Sequence, residues 1–232
     1  MPEANRVNPK NGESPALVLW DWNGTLLDDV EYAVGVRNRV FPRFGLPEVN
    51  SLAEYHRQFA FPVRLYYARA GVTQENFVAV ANAWMAEYMR GYREIALFPD
   101  ALYALDAFCA AGCAQAVLSA SKLDTLKTQL AYAGILDRFS AVLGLTHIYA
   151  TSKEAVGREY LLKSGVEPGR CVMLGDTLHD AEVARAVGCR CALIARGHQS
   201  REALLASGAP VYGTLAEAAD RLLGRKTMKS EE

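Results

Sequence analysis

The sequence predicts an α/β fold: a parallel sheet with helices on both faces, interrupted by one helical insertion. Three observations carry that expectation. Short apolar runs alternate with helix-length amphipathic segments along most of the 232 residues. The runs are continuously apolar, as strands covered on both faces are. One stretch, 30–97, breaks the alternation with helical patterns and no convincing strand.

Taken in order, the strand candidates are ALVLW (16–20), AQAVLS (114–119), SAVLGL (140–145), CVMLG (171–175), CALIA (191–195) and PVYGT (210–214). Helix candidates lie between them at 101–111, 122–133, 152–164, 180–187 and 200–206. Ser121 is a plausible N-cap for the 122–133 helix, whose Leu123, Leu126 and Leu130 share a face. Within 30–97, YHRQFAFPVRLYYARAG and NFVAVANAWMAEYMRGY carry aromatics at helical spacing, and Asp28 with Glu31 suits a capping arrangement before the first helix. The division expected is a discontinuous α/β core (15–29 and 98–224), a helical cap (30–97) and flexible tails at 1–14 and 225–232.

Composition narrows the function classes. Hydrophobic residues make up 51% and charged residues 22%, ordinary for a chain with a sizeable core. Lys and Arg number 25 against 26 Asp and Glu, so no basic face for nucleic acid or anionic lipid is expected. The first fifteen residues are polar, without a secretory apolar stretch, and no apolar run reaches membrane-spanning length. Five cysteines, an odd number, fit reduced thiols in a cytoplasmic protein. Cys189 and Cys191 would share a strand face, but buried inert thiols are a better reading than a metal site.

Ligands of open α/β sheets bind beyond the carboxyl ends of the strands. Asp21 follows the first run, Ser119 closes the second, and Gly175 and Asp176 end the fourth, with Asp180 one helical turn on. Lys153 opens a helix near the same edge. Clustered carboxylates repel unless a cation sits among them, and a few hard oxygen ligands suit Mg2+. Ser119 and Lys153 suit phosphate oxygens, and a carboxylate beside an electrophilic phosphorus can act as a nucleophile.

DWNGTL (21–26), AVLSAS (116–121), Lys153 and GDTLHD (175–180) together resemble the four motifs of the haloacid dehalogenase-like hydrolase superfamily, in order and spacing, from about Pro15 to Leu223. Residues 30–97 resemble the helical C1 cap of its phosphoglycolate phosphatase-like subgroup. The resemblance implies a Rossmann-like core and a Mg2+-dependent phosphatase acting through an aspartyl phosphate. It implies Asp21 as nucleophile and metal ligand, and Asn23 lending its backbone carbonyl to the metal. Asp176 would bind the metal, with Asp180 a further ligand or an orienter of Lys153. Gly24, Thr25, Ser119, Ala120 and Lys153 would hold phosphate, and Lys153 would balance charge on Asp21. The implied partner is a small phosphorylated metabolite, with neither nucleic acid nor membrane, in a monomer or homodimer.

Each motif has a plainer reading when taken singly. Asn-Gly suits a type I′ hairpin turn. Ser119 could be a strand-end residue, Lys153 a surface lysine, and Asp176 with Asp180 a cap and a solvated carboxylate. Their coincidence argues for the site. In the cap, Phe59, Phe61, Tyr66, Tyr67, Trp84 and Tyr88 read as core more readily than as substrate contacts. His56, Arg57 and Arg64 are the polar groups to watch for a lid contact, and His147, His179 and His198 are weaker candidates.

Asn23 departs from the resemblance. The phosphatases of this superfamily usually have Asp there, as the acid that protonates the leaving oxygen. An amide cannot transfer that proton at neutral pH, and such assistance is typically worth ~10²–10⁴ in rate. Three outcomes are open. The leaving group needs no acid, as in an acyl phosphate or phosphoanhydride. Or another group, such as a cap residue, His198 or a water, supplies the proton. Or the protein is a catalytically weak phosphate-ester-binding or regulatory relative. The 30–97 segment has no lysine, which argues against chemistry through a cap Schiff base.

Overall fold

A computed structural model describes residues 14–149 and 152–225. The remainder of both stretches expected to be tails lies outside the described residues. Six strands, β1 (Leu17–Trp20), β2 (Ala114–Lys122), β3 (Ala141–Leu145), β4 (Cys171–Gly175), β5 (Arg190–Ile194) and β6 (Val211–Tyr212), form one sheet. Their order is β3-β2-β1-β4-β5-β6 and every pairing is parallel. The chain builds outward from β1 to β3, then returns to β4 on the opposite side of β1. The β1–β4 boundary is therefore the topological switch point, where the crossover loops diverge and leave a crevice.

Alternation along the strands feeds two cores. Val18, Trp20, Val117, Val172 and Leu174 point to one face, packed by α5 (Ala101–Ala110), α6 (Leu123–Tyr132) and α10 (Leu215–Leu222). Leu17, Leu19, Leu118, Cys171 and Met173 point to the other, under α7 (Glu154–Ser164) and α8 (Leu178–Val187). Leu193 meets Leu204 of α9 (Arg201–Leu205) in a smaller cluster. Trp20 and Trp22 are fully buried, and each indole N–H has a partner: Gln115 Oε1 at 2.9 Å and Gln129 Oε1 at 3.0 Å. Those bonds remove the cost of burying a polar N–H.

Between β1 and α5 the chain forms α1 (Val30–Val40), α2 (Leu52–Gln58), α3 (Val63–Arg69) and α4 (Phe77–Tyr88), with two short 3₁₀ turns. This insertion has its own apolar cluster, in which Val36, Val40 and Phe41 meet Tyr55, Tyr66, Phe77 and Val80.

Local readings differ from the structure in four places. β2 continues to Lys122, so Ser121 lies in the strand and caps nothing. α1 starts at Val30 without a side-chain cap, so the Asp28–Glu31 arrangement does not form. No hairpin follows Asn23-Gly24, because both neighbours of β1 are parallel. α10 was not foreseen, although Thr214 and Glu217 frame its start: Thr214 Oγ1 accepts from the Glu217 N–H at 3.0 Å. Among the described residues no helix is long and apolar enough to cross a membrane.

Candidate active site

The residues beyond β1, β2 and β4 converge on the switch point. Asp21, Asp176 and Asp180 are all buried, and each offers an oxygen within 4.8 Å of the others. Lys153, 2% exposed at the start of α7, reaches between them. Its Nζ donates to Asp21 Oδ1, to Asp180 Oδ1 at 2.8 Å and to the Leu118 carbonyl at 2.9 Å.

Asp180 serves two elements at once. Thr177 caps α8, and Asp180 Oδ2 accepts from the Thr177 N–H (2.9 Å) and Oγ1 (2.6 Å) and from the Asp176 N–H (3.2 Å). The other oxygen is left for Lys153. The plain reading of a helix cap is thus correct in part, but the carboxylate is 1% exposed, far from solvated.

The charges do not balance. Burial pushes the Asp21 carboxyl well above the usual carboxylate range, with the Lys153 charge pulling against it and the Asp180 and Asp176 charges adding to it. Burial also raises Asp176, to about 6. Asp180 goes the other way: burial raises it most, but the Lys153 charge and the hydrogen bonds from Lys153 and Thr177 together bring it below its ordinary value. Burial would lower Lys153, but Asp180 and Asp21 hold it above its ordinary value. One ammonium faces three carboxylates, all hard oxygen donors. That donor set and its excess negative charge fit a divalent cation such as Mg2+.

A second buried cluster lies beside the first; the sequence reading nominated Asn23 and His198 within it and missed Asp29 and Tyr55. Asp29, 1% exposed, accepts from Asn23 Nδ2 (2.7 Å), the Gly24 N–H (2.8 Å) and the Tyr88 hydroxyl (2.8 Å). His198 Nε2 stands 3.4 Å from Asp29 Oδ1, and its Nδ1 is 2.8 Å from the Tyr55 hydroxyl. Burial pushes Asp29 up, but the His198 charge and these hydrogen bonds bring it below its ordinary value. Burial is the largest influence on His198 and lowers it, but the charge and hydrogen bond of Asp29 with the charges of Asp176 and Asp21 together raise it to about 9, so the imidazolium persists at neutral pH.

Asn23 is the centre of this cluster. Its Nδ2 donates to Asp29 and to the Tyr88 hydroxyl (3.0 Å), and its Oδ1 accepts from Ser121 Oγ (2.9 Å). The amide is therefore matched to its neighbours: a carboxylate there would face Asp29 with no proton to share. Asn23→Asp is expected to destabilise the fold by about 2 kcal/mol. Adding Asp29→Asn should recover part of that loss. A double-mutant cycle of thermal melts checks the coupling; strictly additive losses would contradict it.

Above both clusters lies a cavity of about 170 Å3. Asp21, Asn23, Ser119, Ala120, Lys153, Asp176 and Asp180 line its floor, and aromatic side chains of the insertion form its roof. Phe59, Phe61, Tyr66, Tyr67, Trp84 and Tyr88 line it while also packing in or against their neighbours, so the core and contact readings both hold. His179, which lines the cavity, stacks on Phe61 at 4.0 Å between centroids.

Other nominated residues fall outside. Thr25 is fully buried and spends its hydroxyl proton on Asp176 Oδ1 (3.0 Å). The Gly24 N–H is taken by Asp29, and a Cβ at this position (φ +70°) would collide with the Asp176 carboxylate. Neither residue lines the cavity; Thr25 holds Asp176 by its hydroxyl, and Gly24 leaves room for the Asp176 carboxylate while its N–H serves Asp29. His56 Nε2 meets the Gly197 carbonyl at 3.0 Å, which fixes the loop carrying His198. Arg57 is exposed, and Arg64 lies 4.3 Å over the Phe77 ring; neither lines the cavity. His147 accepts from the Tyr149 N–H at 3.4 Å, also outside it.

Comparison with known proteins agrees with this geometry. The sequence pattern of the haloacid dehalogenase-like hydrolases matches residues 18–194. A phosphoglycolate phosphatase of Synechococcus elongatus is 23% identical over 190 residues, covering 82% of this chain and 88% of that one. The tyrosine-protein kinase PtkA of Mycobacterium tuberculosis is 29% identical over 189 residues, 81% of this chain but only 64% of that protein's length. A Clostridium acetobutylicum protein described as a predicted phosphatase superposes with a TM-score of 0.80 at 18% identity, covering 91% of this chain and all of the other.

Proposed function

Because this chain belongs to the haloacid dehalogenase-like hydrolases, we propose that it is a phosphatase that removes the phosphoryl group from a small phosphorylated metabolite through an aspartyl phosphate on Asp21. The observation that carries the proposal is the buried Asp21–Lys153–Asp180 bridge with Asp176 beside it, on the floor of a cavity at the switch point. Asp21 supplies the nucleophilic oxygen, and Lys153 orients it and offsets the phosphoryl charge. Ser119 Oγ, already accepting from the Ser121 N–H at 3.1 Å, has its own proton for a phosphate oxygen. Asp21, the Asn23 backbone carbonyl, Asp176 and Asp180 would hold Mg2+, which supplies Lewis-acid stabilisation of phosphoryl charge when bound.

The name of the PtkA relative raises a second reading, transfer from a nucleotide. The cavity disfavours it: about 170 Å3 is small beside the roughly 300 Å3 at which pockets for drug-sized ligands begin.

The test is release of inorganic phosphate from a panel of phosphomonoesters, with and without a chelator. Turnover that chelation abolishes and Mg2+ restores is the expected result. Turnover unaffected by chelation would remove the metal from the proposal. A protein inert on the whole panel yet binding phosphate esters would make it a binding or regulatory relative.

A further inference from the structure

Five buried side-chain polar atoms among the described residues lack a hydrogen-bond partner. Three of them belong to residues that line the cavity above Asp21: the Tyr66 hydroxyl, Gln129 Nε2 and His179 Nε2. They come from three different elements, α3 of the insertion, α6 and α8. Tyr66 and Gln129 are each 4% exposed, and His179 is 8% exposed. Buried polar atoms are ordinarily paired, and an unpaired one costs stability. Three orphans around one space point to a bound molecule that pairs with them.

The chemistry of each atom says what it requires. The Trp22 indole N–H donates to Gln129 Oε1 at 3.0 Å, which fixes Nε2 as the donor end of that amide. The Tyr88 hydroxyl nearby is already shared between Asp29 and Asn23. Beside the Tyr66 hydroxyl stands the Arg37 guanidinium, which can only donate, so the hydroxyl proton turns elsewhere. His179 Nδ1 faces the Glu182 carboxylate at 3.5 Å, which places the proton of the neutral ring there and leaves Nε2 an acceptor. Stacking on Phe61 at 4.0 Å between centroids holds the ring in place. Two donors and one acceptor therefore face a bound molecule. An ionised carboxylate only accepts, and a hydrocarbon does neither. A hydroxyl does both.

On the phosphatase reading above, we infer that the substrate is a short-chain polyol phosphate, whose free hydroxyls are read by Gln129, Tyr66 and His179. His179 immediately precedes Asp180 and lies close enough to feel the Asp180 and Lys153 charges. It therefore reads the substrate from beside the phosphoryl position, whereas Tyr66 reads it from the roof. The cavity of about 170 Å3 is close to the ~150 Å3 that takes up one benzene ring, which limits the organic part to a few carbons. The three residues set specificity, and the bond-breaking stays with Asp21.

Three esters, each supplied with Mg2+, separate the possibilities. They are glycerol 3-phosphate, propyl phosphate (the same carbons without free hydroxyls) and 3-phosphooxypropanoate (the same chain ending in a carboxylate). Glycerol 3-phosphate should exceed propyl phosphate in kcat/KM by on the order of 100-fold, and the carboxylate ester by on the order of tenfold. An equal or reversed order in either comparison would overturn the inference. The hydroxyls of glycerol also make it a slightly better leaving group, so variants assign the preference to the residues. Tyr66→Phe removes only the hydroxyl, and His179→Phe keeps an aromatic ring against Phe61. Each should reduce the glycerol-to-propyl ratio by on the order of tenfold. That ratio is independent of how much of the variant folds, and an unchanged ratio in either variant counts against the assignment. Gln129 is left in place because it also holds Trp22. If no ester turns over, the phosphatase reading fails, and calorimetry with glycerol 3-phosphate and propyl phosphate still decides the ligand class. Tighter binding of glycerol 3-phosphate, weakened in both variants, supports it; equal, weaker or undetectable binding sinks it.

Discussion

Asp21→Asn should lower kcat by on the order of 10⁴-fold or more while leaving the metal-free protein at least as stable as the wild type. The kinetic half follows from chemistry: an amide oxygen cannot form the acyl phosphate that a carboxylate forms. The stability half follows from the charge imbalance. Asp21 is buried against Asp176 and Asp180, and burial with their charges drives its carboxyl up. Removing one of three repelling carboxylates relieves that cost, and Lys153 keeps Asp180 and the Leu118 carbonyl as partners. Catalytic groups held at a cost in stability behave this way. Thermal melts in chelator, set beside single-turnover kinetics, check both halves. A large drop in melting temperature would show that the Lys153–Asp21 contact stabilises more than the repulsion costs.

Lys153→Met keeps the stem and removes the charge, with the opposite outcome for stability. Asp21 and Asp180 would both remain buried without the ammonium that bridges them. Breaking a buried ion pair by deleting one partner typically costs ~3–5 kcal/mol. For a chain of this size that corresponds to a fall of about 10 °C in melting temperature. Turnover should fall as well, because the long contact from the Thr25 hydroxyl to Asp21 Oδ2 (3.5 Å) is then left to orient Asp21. A melting temperature within 2 °C of wild type, taken as roughly the effect of 1 kcal/mol, would contradict the buried bridge. The two substitutions touch the same contact from opposite ends, so their contrast separates repulsion among carboxylates from attraction to the lysine.

Much of this architecture was legible in residue order. The runs leading into Asp21 and Gly175 form strands that end as expected at the sheet edge, and the run through Ser119 forms a strand that continues to Lys122, because continuous apolarity suits a sheet covered on both faces. Asp176, Asp180 and Lys153 could be placed together for the same reason: topology, rather than proximity in sequence, brings strand ends together. Asp29 was illegible because its contacts depend on how the chain loops back after Gly24 and on Tyr88 arriving 59 residues later. The sequence reading passed over it in favour of its neighbour, Asp28, which was paired with Glu31 as a helix cap. Thr25 and Gly24 were assigned to phosphate because motif position does not reveal which way a hydroxyl or an N–H turns. The structure turns both toward carboxylates. Arg57 and Arg64 looked like anion contacts by residue type alone, a property that says nothing about which side of a helix faces the cavity.

The hydrogen bonds joining Asn23 to Asp29 also bear on how this site can change over generations. A carboxylate at position 23 is harmful while position 29 stays acidic, and an amide at 29 removes an acceptor for Asn23, Gly24 and Tyr88. The two positions can exchange their groups together more easily than either can change alone. The contacts predict sign epistasis within one loop, which places the chain on a local stability peak. A change to a carboxylate at 23 then calls for a matching change at 29, so the amide is a state that single substitutions cannot readily leave.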